Sequence, residues 1–321
     1  MDIKQFENKI LQGDCIEVMK TMPDESINCV VTSPPYWALR DYGVDGQLGL
    51  EPTFQEYINK LCNIFDEVKR LLRKDGTCWV NMGDSYSGNM GKRNGWTDNK
   101  LGFEKQEAID KGVCLTSKNE FIYSLPSKCL VQIPSRFAIE MTNRGWILRN
   151  EIIWHKPNCM PSSAKDRFTV DFEKVFFFVK SKKYWFEQQL EKSIWAEQDY
   201  RSQIEGGVKS GGKTATGNYA TDKVAYSANG MKNKRAVWKI TTKPFKEAHF
   251  ATYPETLIEP MIKAGCVENG IVLDPFMGSG TTAVVALKQN KKYIGIELNS
   301  EYIKIAEARI KAVKVENKLP L

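Results

Sequence analysis

The amino-acid sequence predicts an α/β fold built on a mostly parallel sheet, and three observations support this prediction. Short apolar segments rich in β-branched residues alternate with segments of helical periodicity in two parts of the chain. One such strand passes through a glycine-rich turn directly into a helix, and the next strand ends in an acid. Hydrophobic residues make up 42% and charged residues 26% of the 321 residues, so the chain can bury a sizeable core.

The predicted elements follow the chain in two blocks. In the first block we expect strands at residues 9–12, 27–32, 77–82, 146–154 and 174–179, and helices at 15–22, 53–72 and 134–144. The longest of these helices repeats apolar residues at helical spacing, and a Lys-Asp-Gly turn ends it. In the second block we expect helices at 254–264, 281–289 and 301–315 and strands at 270–273 and 293–297.

Two polar segments interrupt this alternation. Residues 85–119 are rich in Gly, Asn and Lys and are predicted to form a loop insertion. Residues 181–239 are polar and basic and include GGVKSGGKTATGNYATDK, which is unable to form a core by itself. We therefore predict one α/β domain in two parts, 1–180 and 240–321, with a separate region at 181–239 between them.

The charge, the cysteines and the hydropathy pattern restrict the possible functions. A net charge of +7 and a pI of about 8.8 are compatible with a polyanionic partner. The eight cysteines are scattered and form no C-x-x-C pair, so we expect no metal site and a reducing compartment. No apolar run approaches the length of a membrane span and the first residues lack a signal core, so we expect a cytoplasmic protein without membrane contact.

The sequence IVLDPFMGSGTTAVVALKQNKKYIGIELN has the features of a nucleoside-binding unit. Its first strand ends in Asp274, a Gly-Ser-Gly turn at 278–280 leads into a helix, and the second strand ends in Glu297. Glycines let the backbone approach a ligand, and the helix N-terminus offers free N–H groups. An acid at a strand end is placed to accept hydrogen bonds from ribose hydroxyls. The dinucleotide pattern G-x-G-x-x-G is absent, which argues against NAD.

A second motif, VVTSPPYWALRDYG, ends the strand predicted at 27–32 in an unusual way. Two prolines stiffen the chain directly after Ser33 and prevent further strand pairing, and two large rings, Tyr36 and Trp37, follow them. This arrangement is suited to binding a planar group of a ligand. Core packing is the alternative for Trp37.

These motifs resemble those of the DNA amino-methyltransferases. HFATYP before the glycine turn, GDCIEVMKTMPDESINCVVTSPPYW near the N-terminus and GWILRNEIIWHKPN also match stretches of that family. The catalytic motif comes first and the cofactor motif last, which resembles the beta group, and the resemblance covers nearly the whole chain except 85–119 and 181–234. It implies a Rossmann-like S-adenosylmethionine-dependent methyltransferase fold with a target-recognition region at 181–239.

The resemblance also implies roles for individual residues. The catalytic motif comprises Ser33, Pro34, Pro35 and Tyr36. The cofactor S-adenosyl-L-methionine is expected to bind with Asp14 near its adenine, Glu297 on its ribose and HFATYP at its methionine end. The full cofactor-binding set is Asp14, His249, Phe250, Ala251, Asp274, Phe276, Gly278, Ser279, Gly280, Thr281 and Glu297. For Phe276, core packing is the alternative.

The chemistry of an exocyclic amino group explains the Ser-Pro-Pro-Tyr motif. The lone pair of such a nitrogen is delocalised into the ring, so an enzyme must hold the group toward the methyl donor. The Ser33 hydroxyl and the Pro34 carbonyl are acceptors for its two hydrogens, and Tyr36 offers a face for a base turned out of the helix. In the family that the motifs resemble, Ser in the first position is typical of cytosine-N4 enzymes and HFATYP is closer to their pattern, so the resemblance favours cytosine N4 as the target, with adenine N6 left open.

Double-stranded DNA is the expected partner. The region 181–239 interleaves Lys and Arg with aromatic residues, as a phosphate-contacting recognition region does, although a solvated insertion is the alternative. We expect DNA contacts at Lys232, Lys234 and Arg235, with a second contact at Lys92 and Arg93. An RNA substrate, an inactive DNA-binding module, a cognate restriction endonuclease and a dimer are left open by the sequence.

Overall fold

The computed structural model describes residues 2–39, 43–44, 46–87, 114–115, 121–122, 125–126, 128–192, 231–242 and 253–316. It separates into two units. The first combines Met1–Phe186 with Val237–Leu321, and the second is Glu187–Ala236. Within the described part of the chain, no helix is both long and apolar enough to cross a membrane.

A central sheet of eight strands organises the first unit. Its strands in chain order are β1 (Lys9–Gln12), β2 (Ile27–Thr32), β3 (Leu72–Met82), β6 (Ile147–His155), β7 (Phe172–Val179), β10 (Val237–Lys239), β11 (Ile271–Asp274) and β12 (Lys292–Glu297), while β4 (Cys114–Leu115) and β5 (Phe121–Ile122) form a separate pair. The spatial order is β1-β12-β11-β2-β3-β7-β6-β10, and among these described strands only β7 runs antiparallel to both of its neighbours. The predicted α/β fold with a mostly parallel sheet is confirmed.

Six helices are described in the first unit. They are α1 (Cys15–Lys20), α2 (Phe54–Leu71), α3 (Ile133–Asn143), α4 (Glu255–Gly265), α5 (Thr281–Lys288) and α6 (Ser300–Glu316). Side-chain caps fix where two of them begin, since Asp14 accepts from the N–H groups of Ile16 and Glu17, and Thr53 accepts from Glu56 N–H. Asp14 and Thr53 each lie just before the apolar repeat of their helix, so these two caps determine where α1 and α2 begin.

The sheet separates two apolar layers. Helices α1, α2 and α3 pack on one face with buried residues such as Val30 and Phe65, whereas α4, α5 and α6 pack on the other with residues such as Val31 and Val285. Neighbouring residues of β2 thus point into opposite layers, as the period of a strand requires. The indole of Trp79 stacks on Phe177 at 4.0 Å between ring centroids, which ties β3 to the antiparallel β7.

The connections of the sheet reverse direction between β2 and β11. From β2 the chain continues through α2 to β3 on one side, while from β11 it continues through α5 to β12 on the other. In open α/β sheets a crevice forms outside the carboxyl ends of the strands at such a point. The two sequence motifs follow these two strands, so the fold brings them to the same crevice.

The second unit contains one described pair of strands. β8 (Leu190–Lys192) pairs antiparallel with β9 (Met231–Asn233), with Glu191 opposite Lys232.

Candidate active site

A cavity of about 640 Å³ opens at the carboxyl ends of the central strands. Its lining includes the start of α1 after Gly13, the motif that follows β2, other residues of the β2–α2 connection and of α2, the turn between β11 and α5, and the end of β12. Trp154, Lys156 and Glu173, from the ends of β6 and β7, complete one wall. The two motifs recognised in the sequence therefore share one cavity.

The glycine turn forms the floor at the start of α5. Gly278 and Gly280 adopt left-handed backbone angles, with φ of 52° and 81°. An added Cβ at Gly280 would lie 2.7 Å from the Cβ of Ala306 in α6, so the turn can pack this closely only without a side chain. Arg309 of α6 fixes the turn further by donating to the Ser279 carbonyl and the Thr281 hydroxyl, at 2.7 and 3.0 Å.

Glu297 holds this turn from the neighbouring strand. Its Oε2 accepts from Gly278 N–H and its Oε1 from Asn299 N–H, both at 2.8 Å. Burial raises the pKa of the Glu297 carboxyl, while the two backbone donors act in the opposite direction. Each oxygen keeps a second lone pair, so the side chain can position the turn and still accept a ligand hydroxyl.

Asp14 and Phe276 line the same part of the cavity. Asp14 uses one carboxylate oxygen to cap α1, which leaves its second oxygen for a ligand. Phe276 is half-buried and also packs against the apolar layer of α1 and α2, so it contributes both to the cavity wall and to the core.

Asp274 of the predicted cofactor-binding set has buried surroundings. It is fully buried and does not line the cavity, and neither does Gly280. Its carboxylate accepts from the hydroxyls of Thr32 and Thr282 at 2.6 Å and from Tyr253 at 3.0 Å, and also from the N–H of Phe276. Burial raises the pKa of Asp274 despite these donors. Asp274 thus ties the ends of β2 and β11 together, and its role in cofactor binding stays a prediction.

The Ser-Pro-Pro-Tyr motif forms the opposite wall. Ser33 and Tyr36 are half-buried and Pro34 is buried, and Tyr57 of α2 donates to the Pro35 carbonyl at 2.8 Å. Close approach of the backbone fixes the Tyr36 ring, because an added Cβ at Gly83 would lie 2.6 Å from its Cε2. Burial, and then the charge of Glu173, raise the pKa of Tyr36 well above its usual value, so its hydroxyl stays protonated.

The sequence reasoning missed several polar residues at this wall. The Tyr36 hydroxyl donates to Glu173 Oε2 at 2.7 Å, and Lys156 forms an ion pair with the other oxygen of Glu173. Asn81 Oδ1 lies 3.3 Å from the same hydroxyl. Glu173 and Lys156 lie where strands begin or end beside long apolar runs, and that position was the available signal.

Trp37 and His155 lie away from the reacting groups of the two motifs. Trp37 is buried in the core, where its Nε1 donates to the Glu51 carbonyl and its ring meets Phe54 edge-on. His155 at the end of β6 lies 3.3 Å from Asp171.

The remaining predicted residues are three of the cofactor set and the five DNA-contacting residues, and only some of them are described. His249, Phe250 and Ala251 of the cofactor set, and Lys92 and Arg93 of the DNA set, lie outside the described residues. In the second unit, Arg235 Nε donates to Glu191 Oε1 at 2.7 Å, and Lys232 Nζ lies 3.6 Å from the same oxygen. The backbone N–H of Lys234 donates to the Gln189 carbonyl.

Comparison with known proteins agrees with this geometry. The structure resembles PvuII DNA methyltransferase (cytosine-N4-specific), with a TM-score of 0.61 at 19% identity over 96% of this chain and 90% of that one. It also resembles a putative DNA modification methylase of Thermus thermophilus solved with S-adenosyl-L-methionine, with a TM-score of 0.57 at 20% identity over 95% and 94% of the two chains. At these identities the likeness shows a shared fold, that of S-adenosylmethionine-dependent methyltransferases.

The sequence relatives are more similar. Type II methyltransferase M.Cfr9I of Citrobacter freundii is 38% identical over 301 residues, which cover 94% of this chain and 87% of that protein. Type II methyltransferase M.SmaI of Serratia marcescens is 39% identical over 302 residues, which cover 94% and 90%. The DNA methylase family model matches residues 27–308. The chain belongs to this DNA methylase family, and it is an S-adenosylmethionine-dependent DNA amino-methyltransferase.

Proposed function

We propose that this enzyme methylates the exocyclic N4 of cytosine in duplex DNA. The observation that carries the proposal is the position of Ser33 and Tyr36 across one cavity from the glycine turn. A serine hydroxyl is a neutral acceptor for amino hydrogens, and the half-buried Tyr36 ring is a stacking surface for a base turned out of the helix. The fold likeness to a cytosine-N4-specific enzyme supports the same choice.

The cavity residues fit the methyl donor. The backbone N–H groups of the turn at 278–280, the free lone pairs of Glu297 and the second oxygen of Asp14 match the hydroxyl and amino groups of an adenosine moiety. Phe276 provides an apolar surface for its adenine. When bound, S-adenosyl-L-methionine supplies a methyl group on a positively charged sulfur.

The residues of the opposite wall then position the nucleophile. Ser33 Oγ and the Pro34 carbonyl accept the two amino hydrogens, which directs the nitrogen lone pair at the methyl carbon. The nitrogen–carbon bond forms as the carbon–sulfur bond breaks, and the nitrogen then releases a proton to water. The enzyme needs no strong base, because a base nitrogen that carries an extra methyl group and a positive charge is acidic.

Nucleoside mass spectrometry tests the choice of base. DNA incubated with the enzyme and deuterated S-adenosyl-L-methionine is digested to nucleosides. We expect labelled N4-methyldeoxycytidine. Labelled N6-methyldeoxyadenosine would move the assignment to adenine, and label in RNA but not in DNA would overturn the DNA substrate.

We also propose that the second unit contacts DNA. The supporting feature is the cationic group Lys232, Lys234 and Arg235, of which the Arg235 side chain is 65% exposed. Exposed ion pairs contribute little free energy, so a phosphate can displace Glu191 from Arg235. Arg235 can also read a guanine edge through its planar fork, whereas the two lysines act as point charges.

Charge substitutions test this contact. The triple reversal of Lys232, Lys234 and Arg235 to Glu should weaken binding to all duplexes and reduce the salt dependence of affinity, as filter binding at several salt concentrations would show. Glu191→Gln is the matched control and should strengthen binding. Unchanged affinity and target site in the triple variant would move recognition elsewhere in the chain.

A restriction endonuclease of the same target sequence is the proposed biological counterpart, as the type II names of the relatives suggest. Because its substrate is cellular DNA, we propose that the enzyme works in the cytoplasm. DNA from cells that express it should resist cleavage by that endonuclease. Normal cleavage of fully methylated DNA would contradict the pairing.

A further inference from the structure

We infer that Glu173, held by Lys156, sets the direction of the hydrogen bonds that reach Ser33 through Tyr36. In this relay, Glu173 makes the Ser33 oxygen an acceptor toward the target amino group. The inference rests on the proposed function, which assigns Ser33 and Tyr36 to the target base. Glu173 is a positioning residue, since it acts through the Tyr36 hydroxyl.

The first step is the fixed carboxylate. The side chains of Glu173 and Lys156 are 17% and 18% exposed, and they form an ion pair at the cavity wall. Lys156 Nζ also lies 4.5 Å from the centroid of the Trp154 ring. One oxygen of Glu173 is occupied by the ammonium group, and the other faces Tyr36.

The second step is the direction of donation at Tyr36. A carboxylate oxygen only accepts, so the Tyr36 hydroxyl spends its single hydrogen on Glu173 Oε2, at 2.7 Å. The Tyr36 oxygen is then an acceptor toward other neighbours. Its raised pKa keeps the hydrogen in place through the neutral range.

The third step is Ser33. Its Oγ lies 3.4 Å from the Tyr36 oxygen and 3.5 Å from Asn81 Oδ1, and in both cases it can only donate. The Asn81 amide presents its oxygen to these hydroxyls, because its nitrogen donates to the Lys174 carbonyl at 3.4 Å. The Ser33 hydrogen is thereby directed into the wall, and the lone pairs of its oxygen remain for the amino hydrogens of the base.

A neutral amide at position 173 should reverse this direction. In Glu173→Gln, Lys156 selects the amide oxygen, and the amide nitrogen turns toward Tyr36 as a donor. The Tyr36 hydroxyl then donates to Ser33 or Asn81 instead. A lone pair of Ser33 becomes occupied, or its hydrogen turns into the cavity, and the amino group loses an acceptor.

Steady-state kinetics on duplex DNA test the relay. We expect Glu173→Gln to lower kcat about tenfold, the effect of one lost hydrogen bond, with little change in the KM for DNA or in cofactor affinity by calorimetry. Tyr36→Phe keeps the ring and should lower kcat similarly. In the Tyr36→Phe background, Glu173→Gln should have almost no additional effect, because its route to Ser33 is already removed.

Two further variants complete the experiment. Glu151→Gln is the matched control: it also breaks an ion pair with a lysine of β7, Lys174, but Glu151 does not line the cavity, so kcat should be unchanged. Lys156→Met removes the ion pair that fixes the Glu173 carboxylate, so the carboxylate can turn away from the Tyr36 hydroxyl, and kcat should fall although that hydroxyl is retained. If Glu173→Gln unfolds the protein, the same non-additivity with Tyr36→Phe is read from Lys156→Met.

Full activity of Glu173→Gln, or losses that multiply in the double variant, would overturn the relay. The proposed function is judged separately, by which methylated nucleoside the unsubstituted enzyme produces. The relay can therefore fail while the enzyme still methylates cytosine N4, and the two outcomes are distinguishable.

Discussion

The packing of the glycine turn against α6 gives a prediction whose magnitude follows from the structure. Gly280→Ala places a Cβ in the left-handed region at φ 81°, which costs about 1–2 kcal/mol. The same Cβ meets the buried Ala306 at 2.7 Å, and overpacking of this kind costs about 1–3 kcal/mol more. The expected loss in the free energy of unfolding is about 2–5 kcal/mol.

Gly278→Ala is the matched control for this loss. It has the same left-handed backbone, but its added Cβ would meet nothing closer than the Phe276 carbonyl oxygen at 3.9 Å. Its expected loss is therefore the conformational part alone, about 1–2 kcal/mol. Urea unfolding followed by circular dichroism measures both, and Ala306→Gly should recover part of the loss in the Gly280→Ala protein. Equal losses for the two glycines, or no recovery, would refute the packing argument.

Three further predictions concern the cavity and the buried Asp274. Ser33→Ala should reduce methyl transfer at least tenfold with cofactor affinity unchanged in calorimetry, since Ser33 is assigned to the base; equal losses in both would indicate a collapsed cavity. Glu297→Ala should weaken cofactor binding, because Gly278 and Asn299 lose their acceptor; an unchanged dissociation constant would contradict this. Burial raises the pKa of Asp274, so the folded protein binds the proton of this carboxyl more tightly than the unfolded chain does. The free energy of unfolding should therefore fall as pH rises just above the ordinary carboxyl pKa of about 4. Urea titrations across that range should show a shallower fall for Asp274→Asn, and an identical pH profile would exclude the contribution of Asp274.

Local sequence patterns predicted most elements of the fold but not the pairing of its strands. The strand predicted at 77–82 begins at Leu72 in the structure, because Leu72 pairs with Ile27 across an irregularity in the β2–β3 register. The antiparallel direction of β7 has no local signature. It follows from the way that β3, β7 and β6 pair across long separations in sequence.

In the candidate site too, the motifs predicted some of the residues, while other contacts depend on how distant segments pair. Ser33, Tyr36 and Glu297 line the cavity, as their motifs led us to expect. The Asp274 carboxylate is buried among three hydroxyls, which come from separate segments of the chain. No local sequence pattern predicts that these segments meet. Glu173 reaches Tyr36 from 137 residues away, so its contact depends on strand register and not on neighbouring residues.

The position of β11 between β2 and β12 constrains when activity can begin during synthesis. Thr32 and Asp274, which join the ends of β2 and β11 by a hydrogen bond, are 242 residues apart, so the ribosome delivers one side of the crevice long before the other. Until β11 has emerged, β2 has one unpaired edge and the nascent protein lacks the turn that accommodates the methyl donor. Under the proposed function, methylation therefore has to wait until β11 and the glycine turn after it have been translated, long after the Ser-Pro-Pro-Tyr motif.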